Sequence, residues 1–475
     1  GLGSGGGRDL PERQRTLRGA IDWSHELLDP EDRRLFARLG AFAGGAPIEM
    51  ADSVCGIPGD ERPLDVLGGL ERLAEQSLVA IGDDLHGDTR FTMLETIREY
   101  ALERLDERGE TAALRDRHAS AFLAFAVAAG QRAGTAATSA EVQARALDRF
   151  EDEHDNLRTA LEHLIAAGDT ERASALVFAL WRFWHQRGHI FEGRARVDRV
   201  LAMPAWTDEP STARLRALEA AGGLAYWGGD LVASGRHYEP AIEMARALGD
   251  EGELANALYN FYFVRRPAPT ADAWIELMRE EDKSLLDEAL AIWTRLGDEE
   301  GMGKALWGLS EHYAYRAEYD EAEATATRAI EIFERLGDPF WVSWSRFTRG
   351  FSRIMRGHIE AAAGDLVPTL REFSAISDLS GLALALTAVS TMLLITDRRA
   401  DAYRIGGGAR RLIAETGIHL ATLWPTEDVP QVDPDTSDPD LSAAYAEGAS
   451  WSREETVANA LAAAADVAGG SPGNR

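Results

Sequence analysis

The chain has 475 residues, 45% of them hydrophobic and 27% charged, with a formal net charge of −29. That length exceeds one ordinary core, and the composition is that of a soluble globular protein with two or more domains. The single cysteine, Cys55, excludes an internal disulfide and a cysteine-rich zinc site, and the acidic balance disfavours nucleic-acid binding unless positive charge is concentrated locally.

No signal peptide is visible, although the chain begins at Gly1 rather than Met. The longest apolar run, Leu382 to Ile395, contains Thr387, Ser390 and Thr391 and lies between Asp378 and Asp397. It is too short and too polar to span a bilayer, so it predicts a buried helix and no membrane partner. A reducing, cytoplasmic setting is expected, with Cys55 as a small buried apolar residue.

In chain order, Gly1 to Gly7 is a glycine-rich lead, followed by an amphipathic stretch, Arg8 to Leu28, with Leu17, Ile21, Trp23 and Leu27 as its apolar side. Asp29-Pro30-Glu31-Asp32 opens a new helix, the first of three: Asp29 can cap it, Pro30 suits the first helical position, and the acids favour the amino end. Leu35, Phe36, Leu39 and Phe42 follow at helical spacing. A short helix around Ile48 to Val54 and another from about Pro63 to Gln76 come next. Ser77 to Ile81 reads as a strand, Gly82 to Asp88 as a turn, and Thr89 to Met93 as a returning strand. Three helices and a two-stranded wing predict a winged helix-turn-helix, left by a long helix from Leu94 to Arg108.

From Ala112 onward the pattern is helical almost throughout. Leu248-Gly-Asp250, Leu296-Gly-Asp298 and Leu336-Gly-Asp338 close helices in the same way, 48 and 40 residues apart, with weaker echoes at Ile376-Ser-Asp378 and Glu415-Thr-Gly417. Within the unit ending at Asp338, Leu309, Ser310, Ala322 and Ala329 take the packing positions. Ala221, Gly222, Ser234 and Ala241 match them one way, and Gly350 and Ala362 the other. Small residues at close crossings are what stacked helical hairpins need. The pattern resembles tetratricopeptide repeats lengthened from the usual ~34 residues. The 48-residue unit carries extra residues near Arg265 to Lys283 that predict a loop. Trp424 to Asp440, rich in Pro and Asp, predicts a solvated connector before a last helical stretch, Leu441 to Val467.

The fold class expected is therefore mainly α: a winged-helix module followed by a tetratricopeptide-like right-handed α-solenoid. The domains are a linker, 1–18; a winged helix, 19–111; first helical hairpins, 112–205; repeats, 206–422; an acidic Pro-rich linker, 423–440; and a terminal helical segment, 441–468.

Several apparent motifs dissolve on inspection. Gly1-Leu-Gly-Ser-Gly-Gly6 has no strand before it and no helix directly after, so it is no dinucleotide site. Gly303-Lys304 ends like a P-loop, but Asp298 stands where the first glycine belongs and Ala305 where Ser or Thr should follow. His25-Glu26 is followed at the second ligand position by Asp29, not His, and His154, His163 and His185 fall on different helices, so no metal site is expected. No catalytic constellation stands out, and the chain is read as a non-enzyme without a cofactor of its own. Over residues 1–110, 13 Arg or Lys face 23 Asp or Glu, a net of −10. The helix that would enter a major groove carries Asp65, Glu71 and Glu75 against Arg72 alone. That surface repels phosphate, so no direct DNA contact is expected.

Three blocks carry a resemblance: Leu10-Pro-Glu-Arg-Gln-Arg-Thr-Leu-Arg18 with Ile21-Asp-Trp-Ser24 and Leu27-Leu-Asp-Pro30; Phe91-Thr-Met-Leu-Glu-Thr-Ile-Arg-Glu-Tyr-Ala101; and Glu153-His-Asp-Asn-Leu-Arg158. Together they resemble the carboxy-terminal half of STAND-type regulators (signal-transduction NTPases with numerous domains), in the LuxR-type and AfsR/SARP-type bacterial branch related to NB-ARC proteins. The resemblance implies an upstream NTPase domain that holds ADP or ATP, a winged helix that closes over it, and repeats that sense an inducer or partner. The Met-His-Asp motif of NB-ARC proteins falls on Met93, Leu94 and Glu95. Leu94 cannot hydrogen-bond to phosphate, so the nucleotide-sensing motif is degenerate and Met93 with Leu94 reads as strand-to-helix core.

The first helix of each hairpin lines the concave face of such a solenoid. Carrying the register through the units gathers Arg182, His185, Arg216, Tyr226, Asn256 and Tyr259 there. Arg266, Lys304, Trp307, Glu311, Trp344, Phe347 and Phe351 complete the expected groove for a protein or small-molecule inducer. Aromatics beside Arg and Lys suit a peptide or a small anion. The expected function is the signal-sensing region of a transcriptional or signalling STAND regulator; a stand-alone tetratricopeptide adaptor without an NTPase is the alternative.

Overall fold

A computed structural model of the chain describes residues 12–56, 64–84, 87–134, 140–264, 283–416 and 430–469. Among them are 22 α-helices and one three-stranded sheet. The chain divides into two compact units, Gly1–Ala126 with Glu151–Asp169, and Val127–Phe150 with Thr170–Arg475.

The first unit contains α1 (Glu12–Glu26), α2 (Pro30–Leu39), β1 (Ala46–Pro47), α3 (Ile48–Cys55), α4 (Val66–Glu75), β2 (Ala80–Asp83), β3 (Thr89–Thr92) and α5 (Glu95–Glu107). The start of α6 (Thr111–Gly134) and α8 (His154–Ala167) also belong to it. The α2 start forms as its sequence dictates: the Asp29 carboxylate accepts the N–H groups of Glu31 and Asp32, each at 2.9 Å, and Pro30 opens the helix. The antiparallel sheet has the order β1-β3-β2, with Ile81 opposite Phe91 and Ala46 opposite the same residue on the other side.

Local departures from the sequence reading have local causes. Helix α1 begins inside the expected 1–18 linker. Its inward residues are Ile21 and His25, one helical turn apart, with His25 against the rings of Phe36 and Tyr100 at 5.5 Å each. Trp23 lies off that face and is exposed, as is Leu27 just past the helix end. The wing strand starts at Ala80 rather than Ser77, because Ser77 adopts φ +59° as α4 ends. Strand β1 was not foreseen; at two residues with one a proline it fits only a sheet edge.

The core of this unit brings Phe42 edge-on to Phe91 and to His118, each at 5.4 Å. Cys55 is fully buried, and burial pushes its thiol up to about 12. The unit runs past the expected boundary at residue 111 because α8 is tied into it. Asn156 bonds to the Ala43–Gly45 loop, and Glu153 pairs with Arg90 of β3.

The second unit contains most of α7 (Ala140–Asp152) and the helices α9 (Thr170–Gln186), α10 (Ile190–Leu201), α11 (Thr212–Trp227), α12 (Leu231–Leu248) and α13 (Glu251–Tyr262). These are followed by α14 (Ser284–Leu296), α15 (Glu299–Tyr315), α16 (Tyr319–Leu336), α17 (Pro339–Met355), α18 (Ile359–Ala375), α19 (Leu379–Ile395) and α20 (Arg399–Thr416), and finally α21 (Pro439–Ser450) and α22 (Arg453–Ala468). Consecutive helices pair, and first helices stack on one another, α9 with α11, α13 with α15, α15 with α17 and α17 with α19.

The repeated tripeptides are the punctuation of this stack. Gly249, Gly297 and Gly337 take φ of 69°, 69° and 71°, and Asp250, Asp298 and Asp338 cap the next helices through the N–H groups of Glu253, Gly301 and Trp341 at 3.0, 3.0 and 3.1 Å. In the next unit Ser377 holds φ 54° in place of glycine, and Asp378 caps α19. Ser234 donates its hydroxyl to the Gly222 carbonyl at 2.8 Å, and Ser390 does the same to Ala402, which holds the hairpins at close approach.

The stack curls until its early and late helices meet. Helix α9 packs against α19, the Ser380 hydroxyl lies 3.4 Å from His185 Nδ1, and Trp227 of α11 meets Trp344 of α17 at 5.4 Å. The far end is covered by α21, packed on α20, and by α22, packed on α18 and α20. These are two helices, where one stretch from Leu441 to Val467 was expected. Trp451 is extended, and Ser452 with Glu455 forms a capping box that starts α22. The acidic connector falls partly outside the described residues, as do Gly417 and the extra residues at 265–282. Its described part is not wholly solvated, since Val432 packs against Tyr403 and Leu441. The apolar run predicted as a buried helix is α19, and among the described residues no helix is long and apolar enough to cross a membrane.

A candidate ligand cavity in the repeat unit

The curled stack encloses a cavity of about 560 Å³, within the range of small-molecule sites. Its walls are the first helices of successive pairs, α9, α11, α13, α15 and α17, joined by residues of α6, α7 and α12. Side chains on one face of each first helix point to the axis, so the lining recurs with the repeat.

Arg182, His185, Arg216, Tyr226, Asn256, Tyr259, Lys304, Trp307 and Trp344 all line this cavity. Glu311, Phe347 and Phe351 do not, which corrects the sequence reading. Glu311 is buried and accepts the Thr348 hydroxyl at 2.5 Å. Phe347 lies in a buried cluster with Leu366 and Leu370, because α17 has passed beyond the cavity there and packs on α18; Phe351, one turn on, is also buried. Arg266 lies outside the described residues.

Sequence reasoning missed Trp181, Glu219, Trp227 and Trp341. For Glu219 a signal existed. It stands 40 residues before Tyr259 and 88 before Trp307, the same register position, filled by an acid where later units carry aromatics.

The polar end of the cavity is a connected group. Asn256 donates to Glu219 Oε1 at 2.7 Å, and its own oxygen accepts from Lys304 Nζ at 3.2 Å. Glu219 is 4% exposed, and its carboxyl also hydrogen-bonds that of Glu253. Burial, aided by the nearby Glu253 carboxylate, pushes Glu219 up to about 8, so it is predominantly a neutral acid at pH 7. Burial lowers Lys304, whose ammonium lies over Tyr259 at 5.8 Å and Trp293 at 5.6 Å. Arg216 has Glu253 at 4.0 Å and lies over Phe178 at 5.7 Å, while Arg182 lies over Trp181 at 5.7 Å. Among the described residues neither Arg182 nor Lys304 has a carboxylate within ion-pair distance.

The remainder is aromatic. His185 stacks on Trp227 at 4.1 Å, and burial holds it neutral, down to about 3. Burial also raises Tyr226 and Tyr259, whose hydroxyls keep their protons. The described lining contains no Ser, Thr or Cys. What it offers is stacking surface, cations and hydrogen-bond donors.

In the winged helix, the exposed face of α4 carries Asp65, Glu71 and Glu75. Arg72 is engaged by Asp32 at 2.8 Å. Met93 is buried, but Leu94 is 71% exposed at the amino end of α5, which corrects its assignment to the core. It begins the helix after the strand has ended, where no element covers it. Glu95 pairs with Arg98 at 2.7 Å.

Residues 28–106 match the family of winged helix-turn-helix domains. The chain thus carries such a domain, followed by a helical-repeat region. A protein of Mycobacterium tuberculosis strain H37Rv, provisionally named an HTH-type transcriptional regulator, is 35% identical over 264 residues, 54% of this chain and 29% of that protein. An uncharacterized protein of the same strain is 34% identical over 116 residues, 24% of this chain and 29% of its own length. The chain therefore spans under a third of the curated relatives it matches. Among solved structures, a STAND protein with a tetratricopeptide repeat sensor from Pyrococcus horikoshii is similar at 14% identity and TM-score 0.42, covering 96% of this chain and 65% of that one. Aspartyl phosphate phosphatase F from Bacillus subtilis is similar at 12% identity and TM-score 0.47, covering 88% and 99%. Scores this low fix neither fold nor function.

Proposed function

We propose that this chain is the signal-sensing and protein-interaction region of a bacterial transcriptional regulator of STAND type, working in the cytoplasm. The repeats take an inducer into the cavity, and the winged helix passes that state to an upstream NTPase domain, where ATP or ADP would bind. The observation that carries this reading is the cavity itself: aromatic walls around a polar group in which Arg182 and Lys304 have no carboxylate within ion-pair distance among the described residues. That arrangement is wasteful as mere packing and useful for a ligand. The kinship to a protein named as a transcriptional regulator supports the regulatory setting. The acidic face of α4, with its one arginine engaged, supports a protein-packing role for the winged helix over direct DNA contact.

Native mass spectrometry of the chain purified from its own host tests this. A small molecule retained by the wild type and lost from the Trp307→Ala, Arg216→Ala double variant, with helical content intact, is the expected result. A protein partner held equally by both forms, with no small molecule, would point to an adaptor and overturn the proposal. A P-loop domain encoded in frame upstream of Gly1 is also expected.

A further inference from the structure

Half-buried arginines elsewhere in the repeats meet carboxylates: Arg194 with Asp230 at 2.7 Å, Arg349 with Asp365 at 2.6 Å, Arg353 with the same aspartate at 2.8 Å. The cations facing the cavity depart from that pattern. Lys304 hydrogen-bonds the neutral Asn256 amide and Arg182 lies over an aromatic face; Glu300 and Asp338 act on them from beyond ion-pair distance. Arg216 has a carboxylate no nearer than 4.0 Å, and its Nε is buried without a partner. Burial lowers Lys304, and Arg182 adds to that against the opposite pull of Glu300, Glu219 and Asp298, so two like charges share one end of a cavity in a chain of net charge −29. Holding unpaired like charges together costs free energy, which an anionic ligand would recover through charge-assisted hydrogen bonds. The one acid in the described lining, Glu219, brings to the same end a carboxyl hydrogen-bonded to Glu253.

Resting on the cavity reading above, we propose that the inducer is a small planar organic anion: its acid group sits among Lys304, Arg216 and Arg182, and its apolar body stacks among Trp227, Trp307 and Trp344. Burial and the neighbouring Glu253 keep the Glu219 carboxyl toward the neutral form, so it repels the bound anion less than a free carboxylate would, while Asn256 orients both Glu219 and Lys304. Walls of indole and phenol favour a flat, unsaturated body over a flexible chain, because offset stacking is available on several sides.

The test uses the whole chain and two fluorescent probes with the same aromatic body, anilinonaphthalene sulfonate, which is anionic, and phenylnaphthylamine, which is neutral. Binding is read by energy transfer from the cavity tryptophans. The sulfonate is expected at one site per chain, about tenfold or more tighter than the neutral probe. Lys304→Met with Arg216→Gln removes that preference and leaves the neutral probe's affinity within about twofold, while Lys304→Arg keeps it. Equal affinity of the wild type for both probes overturns the anion inference and leaves the cavity reading standing. If neither probe binds, or both bind undisturbed by Trp307→Ala, the cavity reading itself falls. Should the double variant lose helical signal, the comparison of probes on the wild type still decides.

Discussion

The side-chain amide of Asn156 donates to the carbonyl of Gly45 across 2.8 Å, joining positions 111 residues apart. Gly45 stands at φ +88°, and a Cβ there would lie 2.0 Å from the Phe91 carbonyl oxygen, so the loop into β1 admits no other residue. The same asparagine accepts the N–H of Ala43 at 2.8 Å and donates to Glu153 Oε2 at 2.8 Å. Two sequence blocks, one at Phe91 and one at Glu153, thus prove to be halves of one clamp.

Replacing that asparagine by alanine strands the Ala43 N–H and the Gly45 carbonyl in the interior. Each such group costs about 1–3 kcal/mol, so Asn156→Ala is expected to destabilise the winged-helix unit by about 2–4 kcal/mol. Amide hydrogen exchange over residues 41–47 is the measurement. Wild-type protection there would show that the clamp carries no stability.

The buried acids make the repeat unit alkali-sensitive. Glu219 ionises near 8 instead of its ordinary 4.5. Burial also lifts Glu311 to about 7 and Asp378 to about 6. The folded state therefore keeps protons that the unfolded chain has released, and stability falls as pH rises from about 4.5 through about 8. Gln at position 219 keeps an acceptor for Asn256 and cannot ionise. Glu219→Gln should unfold at a higher temperature than wild type above pH 8 and at nearly the same temperature below pH 5. A difference independent of pH would mean that Glu219 is not held neutral.

Helix α21 rests on α20 through two glycines. A Cβ on Gly448 would lie 1.7 Å from the Arg404 carbonyl oxygen, and one on Gly407 would lie 2.2 Å from that of Tyr445. Gly448→Ala must therefore push the helices apart, at a cost of about 1–3 kcal/mol. Limited proteolysis should then cut within residues 430–469 while the earlier repeats survive. Resistance equal to wild type would mean that the end closes without this contact.

What was legible in the sequence was whatever a residue type settles locally. Asp250, Asp298 and Asp338 can be read as caps because a short carboxylate after glycine has few other uses at that spacing, and their period gave the stack. From the stack came the expected inner face, of which nine residues line the cavity. What failed needed distance or absence of cover. Strand β1 exists only because β3 comes to it. Helix α8 is tied to the winged-helix unit by Asn156 and by the preceding Glu153, contacts that no local pattern announces. Leu94 reads as core in any hydrophobicity pattern, yet it stands exposed at the amino end of α5. Phe347 keeps the register of Tyr259 and Trp307, but periodicity does not say where along its length a helix leaves the cavity.

Because α9 returns to touch α19, the repeats behave as a split washer and not as an open ramp. The offset contributed by each pair is summed around the turn and appears at one seam, where Ser380 faces His185. A slight rotation at any pair, too small to notice locally, is magnified there into a gap or a clash. His185 also lines the cavity, so the seam forms part of the cavity wall.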